Sequence, residues 1–234
     1  MRKAGHEMRA PLAAIVSILD AVGQDCGKQL TDEQCRLMKR AAERSRALME
    51  MVNDLRRYAR LRAAPSEVMQ VGYLALNELA WQVIELLGTH AKSAGLTMTA
   101  RTEPVPITAD EELIKQVAIN LVTNAIQYTP AGGSVEIGVR VEGPWAVLEV
   151  SDTGIGLSEG ARRHLFEEFY RSPEAKKTFR DGTGLGLSIC KRIVDIHGGE
   201  ISAEPRQGGG SVFAIRLPLA ATCPVDGNRG GLRS

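Results

Sequence analysis

Gly182-Thr183-Gly184-Leu185-Gly186-Leu187-Ser188 decides how this chain is read. Beyond it, Ile189, Cys190, Ile193 and Val194 recur at helical spacing, so the stretch is a flexible glycine loop feeding the start of a helix. That helix is expected to run to about His197, where Gly198-Gly199 ends it. A helix start of this kind presents free backbone N–H groups to phosphate oxygens. The more familiar phosphate loops do not fit. Gly27-Lys28 is followed by Gln29, which fails GxxxxGK[ST], and the last glycine of 182–186 falls one residue too early for the dinucleotide fingerprint. Neither HRD nor DFG of the protein kinases occurs.

Working outward from the loop, three further features precede it. Leu165-Phe166-Glu167-Glu168-Phe169-Tyr170 supplies aromatic anchors, and the stretch 171–183 carries Lys176, Lys177 and Arg180. This reads as a mobile cationic lid for a polyphosphate; taken alone it reads as well as a solvated loop. Ser151-Asp152-Thr153-Gly154-Ile155-Gly156 follows directly on an apolar strand. A carboxylate there can accept from an exocyclic amino group such as that of adenine, while Gly154 and Gly156 let backbone approach the base. Asp-Thr-Gly also marks aspartic proteases, but that chemistry needs a second carboxylate sharing the proton, which does not suit this helix-rich chain. Finally, a helix over 111–128 places Asn120, Asn124, Gln127 and Tyr128 at i, i+4, i+7 and i+8, beside an apolar stripe. The carboxamide oxygens of Asn120 and Asn124 are suitable hard ligands for Mg²⁺, although two asparagines on a helix face are by themselves more often a solvated face.

The rest of the chain sets these features on an α+β frame. Leu12, Ile15, Val16, Leu19 and Val22 make one amphipathic helix over 10–22. The turn 23–27 breaks it, and Thr31-Asp32-Glu33-Gln34 offers a capping box for a second helix. There Leu37, Ala41, Leu48, Met51, Leu55 and Tyr58 form a coiled-coil-like seam, interrupted at Arg44. A helical hairpin with one seam per helix buries little by itself, so a dimeric four-helix bundle is expected; packing of the hairpin on the rest of the chain is the other solution. The helical pattern ends at Ala63-Ala64-Pro65-Ser66. A helix over 74–95, a strand over 96–102, a hairpin of 135–141 with 146–150 around Gly143-Pro144, and a last strand through Phe213, Ile215 and Leu217 point to a two-layer α/β sandwich. The expected division is a hairpin at 1–63, a linker at 64–72, a sandwich domain at 73–220, and a disordered Gly- and Arg-rich tail at 221–234.

Bulk composition excludes some classes. With 234 residues, 44% of them hydrophobic, the chain can build real cores, and a net charge of +1 argues against a strongly basic nucleic-acid binder. Cys26, Cys35, Cys190 and Cys223 show no zinc-ligand spacing, and a reduced cytoplasmic setting is expected. Cys26 and Cys35 read either as a redox pair across the turn or as two ordinary thiols. No apolar run reaches the roughly 20 residues of a membrane helix, so any membrane attachment is expected through an upstream segment of a longer sensor.

From residue 110 to 218, the ordered asparagine, Asp-x-Gly, aromatic and glycine boxes resemble the ATP-binding domain shared by histidine kinases, gyrases and the Hsp90 chaperones, and are most similar to histidine kinases. The resemblance implies that Asn120 and Asn124 contact Mg²⁺ and phosphates, that Asp152 reads adenine, and that Gly182-Thr183-Gly184-Leu185-Gly186 closes over ATP. Gln127 stands where the family usually has Lys, which weakens one phosphate contact. Gly5-His6-Glu7-Met8-Arg9-Ala10-Pro11-Leu12 is similar to the family's phosphoacceptor box, which implies autophosphorylation of His6, with Glu7 accepting or orienting its ring proton. The phosphoryl group is then expected to pass to an aspartate of a response-regulator receiver domain. Ala10 occupies the position where the family commonly has Thr or Asn to orient a hydrolytic water, so phosphatase activity toward that regulator is expected to be weak. Two other classes stay open: a gyrase- or chaperone-like ATPase, and a non-catalytic dimeric scaffold that binds ATP and a regulator.

Overall fold

A computed structural model describes residues 15, 17, 31–63, 69–179 and 182–220. The turn 23–27, most of the helix expected over 10–22, and the tail 221–234 lie outside them.

Helix α1 (Asp32–Ala63) starts at the capping box read from the sequence. Gln34 N–H donates to Thr31 Oγ1 at 3.3 Å, and Thr31 N–H donates back to Gln34 Oε1 at 2.8 Å, so two otherwise orphaned donors are satisfied. Asp32 and Glu33 in its first turn and Arg60 and Arg62 in its last suit the helix dipole. Leu37, Leu48, Met51 and Leu55 of the expected seam are exposed, as a bundle surface seen in one chain would be. Tyr58 departs from the seam. It packs against the main core, and Leu61, one turn on, is fully buried.

The second layer system begins with β1 (Val71–Ala75), inside the stretch expected as linker and helix. Its run Val-Gly-Tyr-Leu-Ala pairs antiparallel with β3 (Pro106–Asp110), Leu74 opposite Ile107. Helix α2 (Leu76–Ser93) therefore starts two residues later than its apolar pattern predicts, because short apolar runs do not distinguish strand from helix. Strand β2 (Thr97–Thr102), helix α3 (Glu111–Tyr128), strands β4 (Ser134–Glu142) and β5 (Trp145–Asp152), two short helices α4 (Glu159–His164) and α5 (Pro173–Thr178), helix α6 (Gly186–Ile196), and strands β6 (Glu200–Pro205) and β7 (Ser211–Pro218) complete the order. β3 and β6 went unread in the sequence.

The main sheet runs β2-β4-β5-β7-β6, with β2 parallel to β4 and all other pairs antiparallel. One face is covered by α2, α3 and α6. Ile137, Leu148 and Ile215 from the sheet meet Ile114, Leu121, Ile189 and Ile193 from the helices in one core. The opposite face is polar: Arg140 bridges Glu142 at 2.6 Å and Glu149 at 3.0 Å, and Arg216 reaches Glu142 at 3.6 Å. This is the two-layer α/β sandwich, and it leaves the C-terminal end of β5 and the N-terminus of α6 on one rim. Among the described residues no helix is long and apolar enough to cross a membrane.

Leu121 is fully buried at the centre of the helical layer. Leu121→Ala is expected to lower the unfolding free energy by about 2–5 kcal/mol in denaturant titration; a loss under about 1 kcal/mol would mean that α3 is not seated on the sheet as described.

Candidate active site

Asp152 is the last residue of β5 and is almost fully buried. Its Oδ1 accepts from Gly154 N–H at 2.7 Å and from Ser211 N–H at 3.3 Å. The Ser211 hydroxyl also reaches the carboxylate. Burial pushes the carboxyl above the usual range for Asp, and the Gly154 and Ser211 bonds with the nearby Arg206 charge oppose that shift. A carboxylate has about four lone-pair sites, so capacity to accept a further donor remains.

Two glycines make this arrangement possible. A Cβ on Gly154 would overlap the Tyr128 carbonyl oxygen and stand 2.8 Å from Asp152 Oδ1. Gly210, at φ +99°, lies against the Asp152 carbonyl so closely that a Cβ there would overlap it. Sequence reading named Gly154 and missed Gly210 and Ser211, which arrive from a turn 58 and 59 residues along the chain.

Asp152 borders a cavity of about 780 Å³, lined also by Asn120, Asn124, Gln127, Tyr128, Gly156, Gly182, Thr183, Gly184 and Gly186. The asparagine helix, the turn after β5 and the glycine loop thus meet in one place. Asn120 and Asn124 stand a turn apart on α3, while the first turn of α6 brings Gly186 and Leu187 to the cavity with its unpaired N–H groups. Leu185 is fully buried and anchors the loop, its N–H donating to Thr183 Oγ1 at 3.1 Å.

The lid differs from expectation. Ser172 caps a short helix, α5, accepting from Ala175 N–H at 3.1 Å, with Pro173 in its first turn. Lys176 and Lys177 lie exposed on α5 and do not line the cavity. Arg171 does line it, and its guanidinium donates to the carbonyls of Gly182, at 3.2 Å, and Phe179. Sequence reading gave Arg171 no role. His6, Glu7 and Arg180 lie outside the described residues.

Against known proteins, residues 1–64 match the model of the His Kinase A (phospho-acceptor) domain, and residues 109–221 match that of the histidine kinase-, DNA gyrase B-, and HSP90-like ATPase. The solved catalytic domain of the histidine kinase ThkA is 33% identical, at TM-score 0.59, over 64% of this chain and 97% of that one. The chain belongs to the histidine kinases. Full-length ShkA in complex with AMPPNP matches 96% of this chain and 46% of its own length at TM-score 0.74 and 29% identity. ThkA has also been solved in complex with the response regulator protein TrrA, aligning with 93% of this chain and 61% of its own at TM-score 0.65 and 25% identity. The sensor protein CutS of Streptomyces coelicolor is 34% identical over 92% of this chain. The chain spans about half the length of CutS, 51%.

In this histidine kinase both halves of the chain meet at the cavity. Asp54 of α1 lines it and accepts from the Thr183 hydroxyl at 3.3 Å. Burial raises the Asp54 carboxyl, with Thr183 and Arg57 pulling the other way. Nearby, the Tyr58 hydroxyl donates to Glu168, and Arg192 Nε of α6 donates to the Leu61 carbonyl at 3.3 Å. No local pattern singles out Asp54, because its partner lies 129 residues away.

Asp152→Asn separates charge from shape. An asparagine oxygen can still accept from Gly154 and Ser211, while the buried charge is gone. Since the carboxyl's folded pKa is raised, its ionisation costs stability above that pKa, and the cost disappears as pH falls through it. The variant is therefore expected to melt at or above the wild-type temperature at neutral pH, with the difference shrinking on acidification. A variant that melts markedly lower at neutral pH would contradict the assigned burial cost.

Proposed function

We propose that the chain is an ATP-dependent histidine autokinase that phosphorylates His6 and donates the phosphoryl group to an aspartate of a receiver domain. One observation carries this reading. A single cavity is lined by the buried acceptor Asp152 and by the open N-terminus of α6, on a chain whose residues 1–64 match a phospho-acceptor domain.

Asp152 accepts from the adenine amino group, and Gly154 and Gly156 let the backbone lie close to the ring. The first-turn N–H groups of α6, Thr183 and the glycines of 182–186 hold phosphate oxygens, with Arg171 supplying positive charge on the rim. Gln127 and Tyr128 line the same cavity, Tyr128 with its carbonyl beside Gly154. Lys176, Lys177 and Arg180 contribute when the lid folds over the nucleotide.

Asn120 and Asn124 offer neutral oxygens one helical turn apart, and among the described residues no cluster of three His, Cys, Asp or Glu forms a metal cage. That donor set fits Mg²⁺, which keeps waters and phosphate oxygens as most of its ligands. Asn120 and Asn124 would hold the ion, which would supply positive charge against the polyphosphate. The neutral imidazole of His6 attacks the γ-phosphorus in line, the bond to the β-phosphate oxygen breaks, and ADP leaves. Glu7 takes or orients the ring proton. A receiver aspartate then displaces the imidazole, and the N–P bond breaks.

The exposed stripe Leu37, Leu48, Met51 and Leu55 supports a homodimer through α1, and the ThkA complex supports a response regulator as the acceptor. Because Ala10 has no hydrogen-bonding side chain to orient a water, phosphatase activity is weak.

Incubation with γ-labelled ATP and Mg²⁺ tests the reading. Acid-labile, alkali-stable label is expected on the chain and is lost in His6→Gln; label that survives acid, or persists in the variant, contradicts it.

A further inference from the structure

We infer that α1 and the nucleotide compete for the glycine loop: Asp54 of the docked helix holds the Thr183 hydroxyl that a phosphate oxygen would take. The inference rests on the proposed role of Thr183 in holding phosphate.

Thr183 has one hydroxyl proton to donate. It goes to Asp54 Oδ2, at 3.3 Å. The same hydroxyl oxygen accepts from Leu185 N–H at 3.1 Å, so the side chain of the loop and the N–H at the cap of α6 are both committed to protein partners. Asp54, Thr183 and Gly184 line the cavity, which sets this chain of bonds in its wall. A carboxylate oxygen and a phosphate oxygen are both acceptors. One O–H cannot serve the two at full strength.

Asp54 is held at the loop by the residues that follow it on α1. One turn on, the Tyr58 hydroxyl donates to Glu168. Leu61 is fully buried, and its carbonyl accepts from Arg192 Nε at 3.3 Å. Glu168 and Thr183 stand at the two ends of the lid. Those ends meet where Phe169, at φ +61°, lies against Gly184: a Cβ on that glycine would stand 2.7 Å from the Phe169 carbonyl carbon. Side chains one helical turn apart on α1 therefore grip both ends of the lid.

Charge acts in the same direction. Polyphosphate brings negative charge beside the Asp54 carboxylate, whose nearby cation is Arg57. ATP therefore enters at the expense of the Asp54–Thr183 bond: the hydroxyl turns to a phosphate oxygen and the carboxylate loses its donor. The effect is mutual, because the factor by which docked α1 weakens nucleotide binding is the factor by which nucleotide weakens docking. The nucleotide-loaded sandwich is the one that lets go of the end of α1.

Calorimetry on the full chain, with AMP-PNP in excess Mg²⁺, tests this in wild type, Asp54→Ala, Thr183→Val and the double variant. Asp54→Ala is expected to bind about tenfold more tightly, the cost of breaking one hydrogen bond to a charged group. Alanine is the best helix former and Asp54 is only half-buried, so the variant keeps α1. In the Thr183→Val background there is no hydroxyl to release, and the same Asp54→Ala change is expected to gain under about threefold. An Asp54→Ala affinity at or below that of wild type overturns the inference, since Asp54 would then support the loop and not oppose the ligand. Gains of comparable size in both backgrounds also overturn it, because repulsion between charges alone would explain them. A wild type that binds no AMP-PNP overturns the proposed function with it.

Discussion

A carboxylate stands buried at the end of β5, and two separate turns converge to hold it. Gly154 N–H comes from the turn just after the strand, and Ser211 N–H comes from the start of β7. Removing an ionisable oxygen pair from water is costly unless hydrogen bonds replace the lost hydration, and here burial pushes the carboxyl up while the Gly154 and Ser211 bonds oppose it. The surroundings are fixed accordingly. Tyr128 at the end of α3 needs its carbonyl beside Gly154, and the triple-glycine turn must bring Gly210 against the Asp152 backbone, so neither position can carry a side chain. The sheet order follows the same demand, because β5 and β7 must be neighbours for Ser211 to reach Asp152. An acceptor left short of partners in a cavity wall is a poor way to stabilise a domain and a good way to select a ligand that brings its own donor.

The wall of that cavity is not made by the sandwich alone. Asp54 from α1 bonds to Thr183 in the glycine loop, and Tyr58 and Leu61 fasten the same helix to Glu168 and Arg192. Helix α1, in the region that matches the phospho-acceptor domain, and the glycine loop before α6 therefore share a contact. Movement of either must carry the other along or break the Thr183 bond. Along α1 an exposed apolar stripe from Leu37 to Leu55 gives way to the fully buried Leu61.

How much of this could be read beforehand follows from the range of the interactions. The capping box at Thr31, the asparagine stripe of α3, the β4–β5 hairpin and the glycine loop before α6 are local patterns, and each appears where its residues place it. β1, β3 and β6 are five or six residues long and hold at most two buried apolar side chains each, so no alternation stands out in them. The missed site residues share a different cause. Ser211, Gly210 and Asp54 matter through partners 58 to 129 residues distant, and nothing in their immediate neighbours announces it. Arg171 is intermediate: it sits inside the stretch read as a lid, but its grip on the Gly182 carbonyl needs the lid's folded path.

The central claim is that Asp152 makes this an adenine-selective pocket. The most direct measurement compares ATP with inosine triphosphate by calorimetry on the unmodified chain, since the two differ at the exocyclic position that a carboxylate would read. The account predicts that the inosine nucleotide, which offers no amino donor there, binds at least about a hundredfold more weakly. Equal affinities would contradict it, and would mean that the buried carboxylate serves the fold and not the ligand.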